Sequence, residues 1–155
     1  MRYAETTSVP ADRSRAEIEK VLARYGADQF LYGWDSDRAL VQFRARGRLI
    51  RFLIEMPDKG GREFTHTPSK GIRRSPEQAE ASWEQATRQR WRALALVIKA
   101  KLEAVTSGIT EFDAEFLAHI VLPDGQTVGQ WILPQVETAY LAGEMPQALP
   151  METAT

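Results

Sequence analysis

The chain contains no cysteine, which excludes disulfides and thiolate metal sites and fits a reducing compartment. It has only two histidines, His66 and His119, so a metal or acid–base site has few possible members. No apolar run approaches the roughly 18 residues of a membrane-spanning helix. The polar opening MRYAETTSVPADRSR does not read as a signal peptide, so the expectation is a cytoplasmic protein with no membrane partner. The phosphate-cradling G-x-x-x-x-G-K-[ST] is missing, LYGWDS lacks the G-x-G-x-x-G dinucleotide pattern, and no G-x-S-x-G nucleophile turn is present. An enzyme is therefore the weakest functional class. No catalytic residue, metal or cofactor is assigned.

Positive charge is missing from one whole region. Residues 102–155 hold no Lys or Arg against 8 Asp+Glu, whereas residues 38–101 hold 15 against 6. Residues 1–37 hold 5 against 7, and the net charge of −1 conceals this polarity. Such a layout points either to a basic face for a polyanion or to an acidic segment folding back on the basic part.

The strongest positive signal is Ser75 to Val105. Ser75 is a good N-cap, Pro76 suits the first helical position, and Glu77 and Glu80 favour the positive end of the dipole; Gly108 marks the far end. At helical spacing, Thr87, Trp91, Leu94, Ala95, Ile98, Leu102 and Val105 share one face, and Ala93, Leu96, Val97, Ala100 and Ala104 lie roughly opposite. A helix apolar on two sides is expected to be buried on both, with Arg88, Arg90, Arg92, Lys99 and Lys101 reaching out along the seams.

Around it, Arg2 to Ser8 is expected as a short strand ended by Pro10. The capping box Ser14-x-x-Glu17 should open a helix burying Ile18, Val21, Leu22 and Tyr25, closed by Gly26. QFLYGW alternates Phe30, Tyr32 and Trp34 on one side of a strand. ALVQFRARGRLIRFLIEM reads as a hairpin turning at Arg46-Gly47, with Phe43 facing Ile50 and Val41 facing Phe52. Residues 57–74 form a long irregular loop. A third helix starts at Thr110–Asp113 and buries Phe112, Phe116, Leu117 and Ile120. Thr127-x-x-Gln130 caps a last helix that Pro134 breaks or restarts and that Gly143 ends. The composition is globular at 43% hydrophobic and 26% charged. The expected fold is α+β: a small antiparallel sheet in the order β-α-β-β-β on a long central helix, followed by a helical C-terminal half. Residues 1–143 make one domain and 144–155 a loosely ordered tail.

Two stretches, SRAEIEKVLARYGADQFLYGWD and FLAHIVLPDGQTVGQWILPQVETAYLAG, resemble an uncharacterised family of small proteins encoded by bacteriophages and prophages. Together they cover about a third of the chain. The resemblance implies a protein working in the bacterial host cytoplasm, in phage DNA metabolism or against a host system, and brings no functional residues with it.

The candidate site is the basic stretch. Arg44, Arg46, Arg48 and Arg51 sit on the hairpin, and Lys59, Arg62, Lys70, Arg73 and Arg74 follow in the loop. These residue types neutralise phosphates, and Tyr32 and Trp34 could stack on bases. The leading reading is a non-catalytic accessory protein binding DNA or RNA with low sequence specificity. The alternative is a protein-binding or counter-defence module that inhibits a host factor through the acidic C-terminal helices and exposed aromatics. A homo-oligomer is possible in either case. Two further groups stand out: His66 in its loop, as a general base or proton donor, and Glu111, Glu115 and His119, which at i, i+4, i+8 would share a helix face, either as metal ligands or as a solvated acidic face.

Overall fold

The computed structural model describes residues 2–35 and 37–145, with side chains from Asp12 onward. From Pro146 on, the expected tail lies outside the described residues. The order is α1 (Arg2–Tyr25), β1 (Gln29–Trp34), β2 (Arg38–Ala45), β3 (Arg48–Glu55), α2 (Arg62–Thr65), α3 (Pro76–Thr106), α4 (Phe112–Glu115), a 3-10 turn (Leu117–His119) and α5 (Val128–Ala142).

The fold is α+β. Its sheet has three antiparallel strands in the order β1-β2-β3. The expected strand at Arg2–Ser8 is instead the opening of α1, so the sheet has one strand fewer. Arg2, Ala4, Glu5, Ala11 and Arg13 are good helix formers. The helix nonetheless runs through Pro10, where a proline removes one backbone bond and crowds the carbonyl of the preceding turn. Ser14 is then an interior residue rather than a cap.

The hairpin register is the expected one: Phe43 faces Ile50, Val41 faces Phe52, Gln42 faces Arg51 and Arg44 faces Leu49. Its two-residue turn puts Arg46 at φ 50 and Gly47 at φ 72, the left-handed pair that matches the twist of flanking strands. Ala39, Val41, Phe43 and Ala45 point inward from β2, with Ile50 and Phe52 from β3. They pack on Ile18 and Leu22 of α1, on Trp91, Leu94, Ala95, Ile98 and Leu102 of α3, and on Phe112 and Phe116.

Ser75 caps α3 through a full capping box with Gln78. The helix is buried on one face only. Leu96 and Val97 are 59% and 44% exposed, because α1, the sheet and α4 cover the other side and α5 packs on the 3-10 turn. The third helix is also shorter than expected: α4 stops at Glu115, leaving Leu117 exposed. Residues beyond it run along the sheet, where Val121 N–H donates to the Leu49 carbonyl at 2.8 Å and Ile120 bridges Ile50. Thr127 caps α5 in a box with Gln130. Pro134 sits inside a continuous helix, and Gly143 ends it at φ 69.

Candidate functional site

Strand β3 carries Arg51 and separates the other eight expected cations into two groups. Arg44, Arg46 and Arg48 cluster at the hairpin tip. Lys59, Arg62, Lys70, Arg73 and Arg74 follow the far end of β3, which at eight residues spans about 25 Å.

Most of these cations already have partners. Arg44 grips Asp28 with Nε and Nη2, the latter at 2.7 Å, and this contact lowers the Asp28 carboxyl below its ordinary value. Arg48 pairs with Asp113 at 3.2 Å and Lys59 with Glu80 at 3.1 Å. Arg51 donates to the Gln42 side chain at 3.0 Å and to the Gly125 carbonyl at 2.7 Å. Arg74 is a structural brace, donating to the carbonyls of Glu63 and Phe64 and to Ser82 Oγ. Among the described residues, Arg46, Arg62, Lys70 and Arg73 have no acidic partner. The Arg48–Asp113 pair and the 3.3 Å Lys101–Glu115 pair join the basic half to the acidic segment. The charge layout is thus partly an internal match.

The loop is tied down. Trp83 Nε1 donates to the Pro57 carbonyl at 2.8 Å, Phe64 of α2 is buried, and Thr67 N and Arg74 N close backbone bonds of 2.8 and 2.7 Å to Ile72 and Thr65. His66 Nδ1 lies 2.7 Å from Thr65 Oγ1, its own neighbour. Glu111, Glu115 and His119 do not share a helix face, since the chain leaves α4 at Phe116 before the 3-10 turn. Glu115 is held by Lys101, and His119 stacks on Phe52. Among the described residues no group of three acidic or imidazole side chains could hold a metal ion.

Phe30, Tyr32 and Trp34 line the inner face of β1, opposite Phe43, Val41 and Ala39. Tyr32 already carries the Arg15 guanidinium 4.0 Å from its centroid and lies 11° from parallel with Trp34. Trp34 ends this stack and is 57% exposed.

Two surfaces escaped the sequence reading. A groove of about 350 Å³ between α1 and α3 is lined by Arg13, Arg88, Arg92, Ser14, Gln85 and Gln89. Its three arginines have no acidic partner among the described residues. Arg13 was hidden because α1 was expected to begin only after it. The other surface is α5, which packs on the 3-10 turn with Gly129 as its only buried residue. Tyr140, Leu141 and Met145 are 84–88% exposed and Leu133 61%. The apolar content of α5 was legible, but not the lack of a partner for it.

No family model matches the chain, and neither does any curated protein or solved structure. No helix among the described residues is long and apolar enough to cross a membrane.

Proposed function

We propose that the protein is a binding module rather than a catalyst, and that α5 seats in an apolar groove rimmed by Lys and Arg on a partner protein. The observation that carries this is the exposure of Leu133, Tyr140, Leu141 and Met145 along one helix and its end. The helix has no cation, and Glu137 and the adjacent Glu144 are its charges. An amphipathic helix laid into a groove is a common recognition mode, and an exposed apolar patch of this kind marks an interaction site. The resemblance to phage proteins makes a bacterial host factor the partner class to test.

The test is a pull-down from nuclease-treated bacterial lysate. One stoichiometric partner should be retained by the wild type and lost by Leu133→Asp/Leu141→Asp, with crosslinks from Glu137 and Glu144 reaching partner lysines. Retention by the double variant would refute the reading. The outer face of α3 has the same chemistry as the proposed groove, so the variant's own oligomeric state is the necessary control.

Nucleic-acid binding stands as the second reading, supported by the cations that have no acidic partner. These are Arg46 at the tip, Arg62, Lys70 and Arg73 in the loop, and Arg13, Arg88 and Arg92 in the helix groove. Salt-sensitive retention on DNA or heparin tests it.

A further inference from the structure

The two edges of the sheet are treated differently. Along β3 the outward carbonyls at both ends of the strand are taken up. Leu49 O accepts from Val121 N at 2.8 Å, Ile50 bridges Ile120, and Glu55 O accepts from Arg90 Nε and Nη2 at 3.2 and 3.0 Å. Along β1 nothing comparable occurs. Asp35 N donates to Arg38 O at 2.9 Å, which fixes odd-numbered residues as those bonding β2, because the pattern alternates. The N–H and C=O groups of Phe30, Tyr32 and Trp34 therefore point away from the sheet. Among the described residues none of them has a partner.

Edge strands are usually protected by a charge, a proline, a bulge or a covering element. β1 reads QFLYGW, without charge or proline, and pairs with β2 residue for residue from Gln29 to Trp34. It is also self-complementary. In an antiparallel pair centred on Tyr32, Tyr32 faces its own copy, Phe30 faces Trp34 of the other chain, and Leu31 faces Gly33. Every outward backbone group of the three aromatic residues then gains a bond. Aromatic side chains oppose aromatic ones on the inner face, and a cross-strand pair of this type stabilises a sheet. On the outer face Leu31 meets a glycine around which no atom lies within 4 Å of an added Cβ. β1 itself contributes no charge, and the Arg15 guanidinium over each Tyr32 ring sits beside the axis.

We infer that β1 is a homodimer seam, joining two copies edge to edge into one six-stranded antiparallel sheet with its two-fold axis at Tyr32. This is independent of the role given to α5, which packs on the 3-10 turn beside the β3 edge.

The cysteine-free sequence makes the test clean. In the proposed register the two Tyr32 Cα atoms are about 5.5 Å apart, within disulfide range. Tyr32→Cys should give a covalent dimer under mild oxidation. Trp34→Cys, four residues out of register with its copy, should not. Equilibrium sedimentation of the wild type should show a concentration-dependent dimer. Tyr32→Pro, which removes an outward N–H and leaves the β2 ladder intact, should shift it to monomer while keeping the wild-type circular dichroism. A wild type that stays monomeric at every concentration overturns the inference, even if some other protein's strand proves to bind β1. So does a dimer that survives Tyr32→Pro, or one that crosslinks through Trp34→Cys instead of Tyr32→Cys. The sedimentation result stands by itself should a variant fail to fold.

Discussion

His119 lies face to face with Phe52, ring centroids 4.0 Å apart and planes 21° from parallel. Burial, then the charge of Lys101, lowers the imidazole below its ordinary 6.5, against an Arg51 backbone bond that raises it. The folded protein thus prefers the neutral ring, and the unfolded chain takes up a proton first as pH falls. The contribution is complete above 6.5 and is lost as pH drops through the lowered value. Urea unfolding should show a falling midpoint between about pH 7.5 and about pH 5.5, and His119→Gln should flatten that fall. An unchanged slope in the variant would place the titration elsewhere.

The one-sided burial of α3 predicts a sharp contrast two residues apart. Ile98 is fully buried and Leu96 is 59% exposed. Ile98→Ala should cost about 2–5 kcal/mol through transfer and cavity terms, whereas Leu96→Ala should stay within about 0.5–1 kcal/mol. Chemical denaturation measures both. Equal losses would mean that a second layer covers the outer face.

Gly129 is where α5 touches the body. A Cβ there would meet the Ala118 carbonyl oxygen at 2.9 Å, a backbone atom that cannot swing aside. Gly129→Ala should destabilise by about 1–3 kcal/mol, as overpacking of a closed contact does. Hydrogen exchange should rise in 128–142 before it rises in β2 and β3.

Arg46 occupies a left-handed position at the hairpin tip, φ 50, that suits Asn or Gly better than arginine. Arg46→Asn should therefore stabilise the fold by about 0.5 kcal/mol, unless its contact 5.4 Å above the Tyr25 ring outweighs the gain. Thermal unfolding reads the sign.

If nucleic acid binds at the loop, Arg62→Ala/Arg73→Ala should flatten the slope of log affinity against log salt by about 1.4–1.8 units. Arg44→Ala should leave that slope nearly unchanged, because Asp28 already neutralises Arg44. Filter binding over a salt series distinguishes the two.

The hairpin was readable to the residue because turn length and the two-residue alternation of side chains agree on one register. The limits of α3 and α5 were readable from their caps. The start of α1 was not, since a mid-helix proline and a serine four residues later imitate a helix boundary. The double apolar face of α3 misled because periodicity shows that a face is apolar without showing whether the rest of the chain suffices to cover it. The basic stretch was correct as composition. Its neutralisation by Asp28, Glu80 and Asp113 depends on pairs 16 to 65 residues apart, which spacing along the chain cannot reveal.

The short Arg46–Gly47 connection has a consequence for the order of assembly. Ala45 and Arg48 meet across two residues, so the loop that must close before this ladder forms is nearly the smallest a chain allows. Joining α1 to α3 is different: Glu17 and Lys99 meet across 82 residues. Closing that distance is entropically expensive and yields little until the intervening strands are in place. The hairpin is therefore the expected nucleus, with destabilising changes at Val41, Phe43 and Ile50 slowing folding and those on α1 chiefly speeding unfolding.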